Sequence, residues 1–165
     1  MRTLRKIIQK RGSADIVYVD ESGFEHETYR PHGWTKRGKK VYAERTGSRK
    51  TRTNVIAAHR GKDFLAPFMF EGTTKTELVN QWTEKMLFKE LRPASTIIWD
   101  NAAFHSKKAL QELADREGHF LLFLPPYSPD FNPIEQDWAI IKKRRIASPH
   151  IPLDQLITNY GNYSE

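Results

Sequence analysis

Three carboxylates stand out in this 165-residue sequence: Asp20 in "VYVDES" and Asp100 in "TIIWDN", each after a run of apolar residues, and Glu135 in "FNPIEQ", after a proline-rich stretch. Asp20 follows a strand over Ile16–Val19, and strand alternation puts its side chain on the face of Ile16 and Tyr18, with Glu21 on the other face. Asp100 ends "TIIW", where a buried strand reaches the rim of its sheet. Asn132 suits a helix N-cap, Pro133 the first helical position and Glu135 the third. Ile134, Trp138 and Ile141 mark the buried side of that helix, so Glu135 lies at its margin and looks along the sheet toward the other two acids. Ligand sites in sheets with crossover helices favour such strand ends. Three carboxylates in a chain with no cysteine form a hard oxygen donor set, suited to Mg²⁺ or Mn²⁺ with substrate phosphates completing the shell. Two such ions about 4 Å apart serve phosphodiester displacement, one at the attacking oxygen and one at the leaving oxygen. The alternatives are plainer: Glu135 closing a capping box with Asn132, and the two aspartates as turn residues. Three acids on compatible elements favour a site over three coincidences.

The elements that must hold them follow from periodicity. "DIVYVDESGF" is a β-rich run, and "KKVYAER" and "TRTNVIAAHRGKDFLAPFMF" supply at least two more strands, with Arg60-Gly61-Lys62 as a hairpin turn. An antiparallel meander is expected. "TTKTELVNQWTEKMLFKEL" then turns helical, with a capping box from Thr74 to Glu77 and Leu78, Trp82 and Met86 on one face. "STIIWD" and "HFLLFL" are short strands whose apolar residues do not alternate with polar ones, as in strands covered on both faces. Between them "SKKALQELADREG" is a helix, capped by Ser106, with an apolar stripe at Leu110, Leu113 and Ala114, and stopped by Gly118. A proline-rich loop, with Pro125, Pro126, Pro129 and Pro133, leads to the helix of Glu135; fixed φ values there hold the helix start still. The order β-β-β-α-β-α-β-α implies a mixed α/β sheet with helices packed on its faces.

Composition sets the outer limits. The chain is 38% hydrophobic and 12% aromatic, enough to fill one globular core despite 28% charged residues. The 27 Lys and Arg against 20 acids leave +7, which favours a polyanionic partner. The lack of cysteine excludes a disulfide framework, a thiolate zinc site and a cysteine nucleophile, and fits a reducing compartment. The basic start, residues 2–11, has only Leu4, Ile7 and Ile8 as its apolar cluster, too little for a signal peptide, and no run approaches the roughly 18 apolar residues of a membrane span. A soluble cytoplasmic protein is expected. None of the six histidines has paired-ligand spacing, and His26 reads as a loop residue.

"VDESGF", "WDNAAFH" and "LPPYSPDFNPIEQDWAIIKK" closely resemble the catalytic domain of DDE transposases of the Tc/mariner superfamily, in particular its bacterial insertion-sequence branch, and the resemblance covers roughly residues 14–147. The 34 residues between Asp100 and Glu135 match the spacing of that branch. The resemblance implies an RNase H-like fold, a mixed five-stranded sheet whose first three strands are antiparallel, with helices on both faces. It implies that Asp20, Asp100 and Glu135 are the catalytic triad and hold two Mg²⁺ ions per site, with Mn²⁺ as a substitute. In the family's chemistry transposon ends are cleaved by hydrolysis, and the freed 3′-hydroxyl then joins target DNA by transesterification, commonly at a TA dinucleotide.

Further residues take roles from the same resemblance. Asn101 and His105 support the site by hydrogen bonding near metal or DNA, with loop capping as the alternative, and Asp130 and Asn132 hold the proline-rich loop. "YRPHGWTKRGKK" matches the family's segment after the first strand, so Arg30, Trp34, Lys36, Arg37, Lys39 and Lys40 are candidate DNA contacts; a basic hairpin anchored by Trp34 is the alternative. Lys142 and Lys143, in "KKRR", are either a DNA-facing helix surface or a favourable cationic helix end. The expected organisation is a basic lead-in over 1–13, a linker remnant, a catalytic domain over 14–148 and a tail or short helix over 149–165. Relatives carry a helix-turn-helix domain ahead of the catalytic strand that starts here near residue 15. The chain therefore reads as a split-frame product, an isolated catalytic piece or a decayed copy. The implied partners are DNA (transposon ends and target), a second copy of the chain on DNA, and a separate helix-turn-helix chain or domain, in the bacterial nucleoid and with no membrane. An RNase H-like nuclease or resolvase, and a domesticated or truncated DNA-binding descendant without catalysis, remain the alternatives.

Overall fold

Alternating apolar residues build strand β1 (Ile16–Glu25), in which Val17 and Val19 point to one face and Ile16 and Phe24 to the other. The computed structural model describes residues 15–25, 52–100, 107–124 and 132–162. After β1 come β2 (Arg52–Arg60), β3 (Asp63–Glu71), helix α1 (76–90), β4 (Thr96–Trp99), α2 (Lys107–Arg116), β5 (Phe120–Phe123), α3 (Ile134–Ala147) and α4 (Leu153–Asn162). The expected strand "KKVYAER" and the cap Ser106 lie outside the described residues.

The five strands form one sheet in the order β3-β2-β1-β4-β5. The pairs β1–β2 and β2–β3 are antiparallel, and β1–β4 and β4–β5 are parallel, as the RNase H-like expectation requires. Thr96–Trp99 are all buried, which explains the unbroken apolar run. Strand β5 is less enclosed than its sequence implies: it is the sheet edge, and Phe120 is 42% exposed.

Helices cover both faces. On one, Val79, Trp82 and Leu87 of α1 and Leu110 and Ala114 of α2 close over Val17, Val19, Ile56, Ile97 and Trp99. On the other, Ile134, Trp138 and Ile141 of α3 and Ile157 of α4 close over Phe24, Val55, Ala57 and Phe64.

Two local features depart from the sequence pattern. The predicted box at Thr74 does not form: no side chain caps α1, and the Thr74 hydroxyl donates to Glu21, reaching down from β1. Helix α1 also passes through a π-helical turn at Thr83–Leu87. The wider turn shifts the buried side to Val79, Trp82, Thr83 and Leu87, leaving Leu78 and Met86 only half-buried. Beneath it β3 bulges opposite Ala57, with Ala66 at a φ of +46°. Trp82 donates to the Ala66 carbonyl at 2.8 Å, and the Ala66 N–H donates to Glu90 at 3.2 Å, so α1 satisfies the groups the bulge releases.

Helix α2 stops at Gly118, whose φ is +74° with open space around its missing Cβ. Gly161, inside α4, has ordinary helical geometry and meets only the Phe64 carbonyl, at 3.8 Å. Gly118→Ala is therefore expected to lower the unfolding free energy by about 1 kcal/mol from left-handed strain alone, and Gly161→Ala to raise it by about 0.5 kcal/mol. Urea denaturation of the two variants checks both signs.

Candidate active site

Asp20 does not end its strand: β1 runs on to Glu25. What ends there is the parallel pairing with β4, whose last register pair is Val19 with Trp99. The next residue on each strand is an acid, Asp20 on β1 and Asp100 beyond β4, so the two carboxylates leave neighbouring strands at one level of the sheet. Asp20 stays paired with Ala57 of β2 and points to the face that α3 and α4 cover, as alternation predicts. Glu21 points to the α1 face, where Thr74 holds it.

Helix α3 brings the third acid. Its first turn is built differently from the predicted cap. The Glu135 N–H donates to the Asn132 backbone carbonyl at 3.1 Å, and the Gln136 N–H to the Pro133 carbonyl at 3.0 Å. Among the described residues no side chain caps the helix, and the buried Asn132 Oδ1 has no hydrogen-bond partner. Pro133, at φ −57°, already has helical geometry, so the tight turn starts without a side-chain acceptor. Glu135 is exposed on this turn, while Ile134, Asp137, Trp138 and Ile141 face inward.

Trp138 links the helix to the strand. Its side chain, 1% exposed, donates from Nε1 to Asp20 Oδ2 at 3.1 Å. Edge-on contacts hold the indole, with ring centroids 6.2 Å from Phe24 and 5.5 Å from Phe64. Burial raises the Asp20 carboxyl to about 7. The backbone N–H of Glu21 opposes this, the charges of Glu135 and Asp100 add to it, and the Trp138 bond opposes it again. Glu135 and Asp100 thus both act on Asp20 through space. Among the described residues no three His, Asp or Glu side chains form a ready-made metal cluster. The donor chemistry still fits a hard divalent cation, because the converging groups are carboxylates and each disfavours the charge of Asp20.

The other candidate residues divide in two. Asn101, His105, Arg30, Trp34, Lys36, Arg37, Lys39, Lys40 and Asp130 lie outside the described residues. Lys142 and Lys143 are exposed on α3, with the Lys142 ammonium 5.7 Å from the Phe24 ring centroid and Arg145 at 5.9 Å from the same ring. Sequence reasoning missed Asp137 and the polar role of Trp138. Helical spacing did carry a signal for Asp137, since 134, 137, 138 and 141 fall on one side of a helix. A buried indole likewise calls for an acceptor.

The raised Asp20 value has a consequence for stability without divalent cations. Its folded value of about 7 lies above the ordinary 3.8, so between the two the folded chain holds more protons than the unfolded chain. Stability then falls as pH rises through this range. Asp20→Asn is expected to raise the unfolding free energy at pH 8 by a few kcal/mol at most, seen as a higher melting temperature, and to leave both unchanged near pH 3. Thermal unfolding in a chelator at both pH values tests this.

Among the described residues no helix is long and apolar enough to cross a membrane. Comparison with curated proteins returns no match. Solved structures do match in fold. A Mos1 strand transfer complex aligns at a TM-score of 0.64 and 16% identity, over 99% of this chain and 60% of that one. A Mos1 mariner paired end complex with Mn aligns at 0.67 and 14%, over 88% and 46%. The catalytic core domain of BIV integrase aligns at 0.51 and 12%, over 89% and 80%. The chain thus spans about 60% of the length of the Mos1 chain in the strand transfer complex. A family model described as DDE superfamily endonuclease matches residues 15–157, which takes in all three carboxylates and every strand of the sheet, and the chain belongs to that family.

Proposed function

We propose that this chain is the catalytic domain of an insertion-sequence DNA transposase, cutting transposon ends by hydrolysis and joining the freed 3′-hydroxyl to target DNA. The observation that carries the reading is the placing of Asp20 and Asp100 at the end of the β1–β4 pairing, with Glu135 close enough to raise the proton affinity of Asp20. In this reading Asp20, Asp100 and Glu135 hold two Mg²⁺ ions, with Mn²⁺ as substitute. When bound, such ions supply Lewis-acid stabilisation of the attacking and leaving oxygens of a phosphodiester. Trp138 fixes the direction of the Asp20 carboxylate, and the apolar wall behind it keeps water from competing on that side. In the first reaction a water oxygen bonds to phosphorus and the 3′-oxygen leaves; in the second that 3′-hydroxyl bonds to a target phosphorus and a target 3′-oxygen leaves.

The remaining assignments belong to the same reading. Asn101, His105 and Asn132 support the carboxylates. Arg30, Trp34, Lys36, Arg37, Lys39, Lys40, Lys142 and Lys143 contact DNA, and the +7 balance suits that partner. The chain acts in the cytoplasm on nucleoid DNA, as a pair of copies, with end recognition supplied by a helix-turn-helix domain or chain.

The test is nicking and end-joining of labelled DNA with Mg²⁺ or Mn²⁺. Asp100→Asn keeps the shape and removes the charge, and is expected to lower both activities at least 10³-fold, as loss of several kcal/mol of charge stabilisation requires. Metal-dependent cutting without joining would instead assign an RNase H-like nuclease or resolvase. For the basic helix surface, the double change Lys142→Ala with Lys143→Ala is expected to weaken duplex binding and reduce the salt slope by about 2. An unchanged slope would leave these lysines as a helix-end feature only.

A further inference from the structure

Helix α3 carries Glu135 on a first turn that no described side chain caps. Apolar packing brings such a helix onto a sheet without direction, whereas hydrogen bonds are directional and can fix its rotation about its own axis. Among the described residues polar anchors of this kind hold α3 at two consecutive positions. Trp138 donates to Asp20 of β1. Asp137 is bonded on both oxygens: Oδ2 lies 2.7 Å from Nδ1 of His59 on β2, and Oδ1 accepts from the Tyr160 hydroxyl of α4 at 2.5 Å. Consecutive helical residues project about 100° apart, so the two anchors pull in different directions and leave the helix little freedom to roll.

The anchor at Asp137 is not one that packing alone calls for. Asp137 is 7% exposed, on the same side as Ile134, Trp138 and Ile141, where an apolar side chain would continue the core. A carboxylate there is costly unless its oxygens are bonded, and here both are. Burial, and then Asp137 itself, raise the Tyr160 hydroxyl well above its ordinary value, so Tyr160 remains a donor. Its ring packs edge-on against Phe64 at 5.2 Å, which fixes the hydroxyl beneath α3.

We propose that Asp137 is a positioning residue for Glu135: the His59–Asp137–Tyr160 bridge sets the roll of α3, and helix α4 is thereby part of the catalytic scaffold. The inference rests on the reading of Glu135 as the third metal-holding carboxylate. Asp137 touches no reacting atom and acts only through the direction of its neighbour two residues back.

The experiment is a Mn²⁺ titration of the full chain, followed by paramagnetic resonance of the free ion, on Asp137→Asn, Tyr160→Phe, Glu135→Gln and the Asp137→Asn, Glu135→Gln pair. Asp137→Asn is expected to weaken Mn²⁺ binding about 10-fold, the lower end for a residue that orients a ligand. Tyr160→Phe keeps the ring and loses one hydrogen bond, and is expected to weaken binding about 3-fold with cooperative unfolding retained. Should Asp137→Asn fail to fold, Tyr160→Phe decides. In the Glu135→Gln background Asp137→Asn should add no further loss; an equal loss in both backgrounds would show action elsewhere and overturn the inference. Native affinity in Asp137→Asn and Tyr160→Phe, with Glu135→Gln weakened, would reduce the bridge to a structural role. Native affinity in Glu135→Gln would remove the triad reading, and this inference with it.

Discussion

The burial of Asp20 is the constraint on which the rest of the site depends. A carboxyl enclosed by strands and an indole cannot stay charged at little cost, and here burial moves its proton equilibrium up to about 7. Among the described residues the Glu21 backbone N–H and the Trp138 indole relieve it, and in a divalent site the cation would add to them. The first two are fixed by β1 and α3, so the carboxylate is held in direction before any ligand arrives. Its place follows from strand length. Because β4 pairs with β1 only as far as Val19, the sheet opens on that side just where the acids emerge, while β2 continues to support β1 as far as Glu25.

The two faces of the sheet serve this in different ways. The α1 face is the larger core, in which aliphatic side chains surround Trp82 and Trp99, set edge-on 6.0 Å apart, with Phe68, Phe70, Phe88 and Phe123 at its margin, and it fastens the helix to the β3 bulge through hydrogen bonds at Ala66. The α3 face is narrower and aromatic. Phe24, Trp138, Phe64 and Tyr160 form a chain of edge-on contacts from β1 through α3 and β3 to α4. Edge-on pairs carry geometric preference as well as area, worth about 0.5–1.5 kcal/mol each beyond burial. Cations extend the same chain outward, with Lys142 and Arg145 over Phe24 and Arg144 over Tyr160. The basic end of α3 is thus held on rings rather than spread freely into water. That is compatible with contact to a polyanion, because an ammonium above a ring keeps its outer donors.

Much of this was legible in the sequence, for physical reasons that differ from element to element. Alternation in "IVYVD" placed Asp20 on the face of Ile16 and Tyr18, because a strand offers only two faces and apolar residues choose between them. The unbroken run in "TIIW" announced a strand enclosed on both sides, and the structure encloses all four residues. "HFLLFL" had the same pattern but forms the sheet edge, since an apolar run records burial by helices and not the presence of a further strand. Capping signals failed at two helices for different reasons: at α3 Pro133 is already helical and the buried Asn132 Oδ1 meets no partner among the described residues, whereas at α1 the capping group is drawn away. A hydroxyl or amide near a helix start has tertiary partners to choose from, and at Thr74 the carboxylate of Glu21 wins over the helix. The π turn in α1 had no local signature, because it answers the bulge beneath it, some twenty residues back in sequence. Asp137 was hidden differently. Its spacing put it inside, but an acid next to Glu135 in "IEQDW" reads as a solvated residue until His59 and Tyr160, far away in sequence, come into view.

That hidden residue points to a general trade in how the helix is held. Replacing a buried bonded carboxylate with a close-packed apolar side chain is often neutral or favourable for stability, so stability alone does not account for Asp137. What an apolar residue cannot supply is angular restraint, since a helix seated on aliphatic groups can roll by some degrees at little cost. A roll displaces each side chain in proportion to its distance from the helix axis, so the tip of a long carboxylate moves further than the backbone that carries it. Glu135 stands at the rim, and in the proposed reading it must meet Asp20 and Asp100 at the edge of the β1–β4 pairing. The polar bridge therefore sits at the first turn, two residues from Glu135, where angular error would cost the site most.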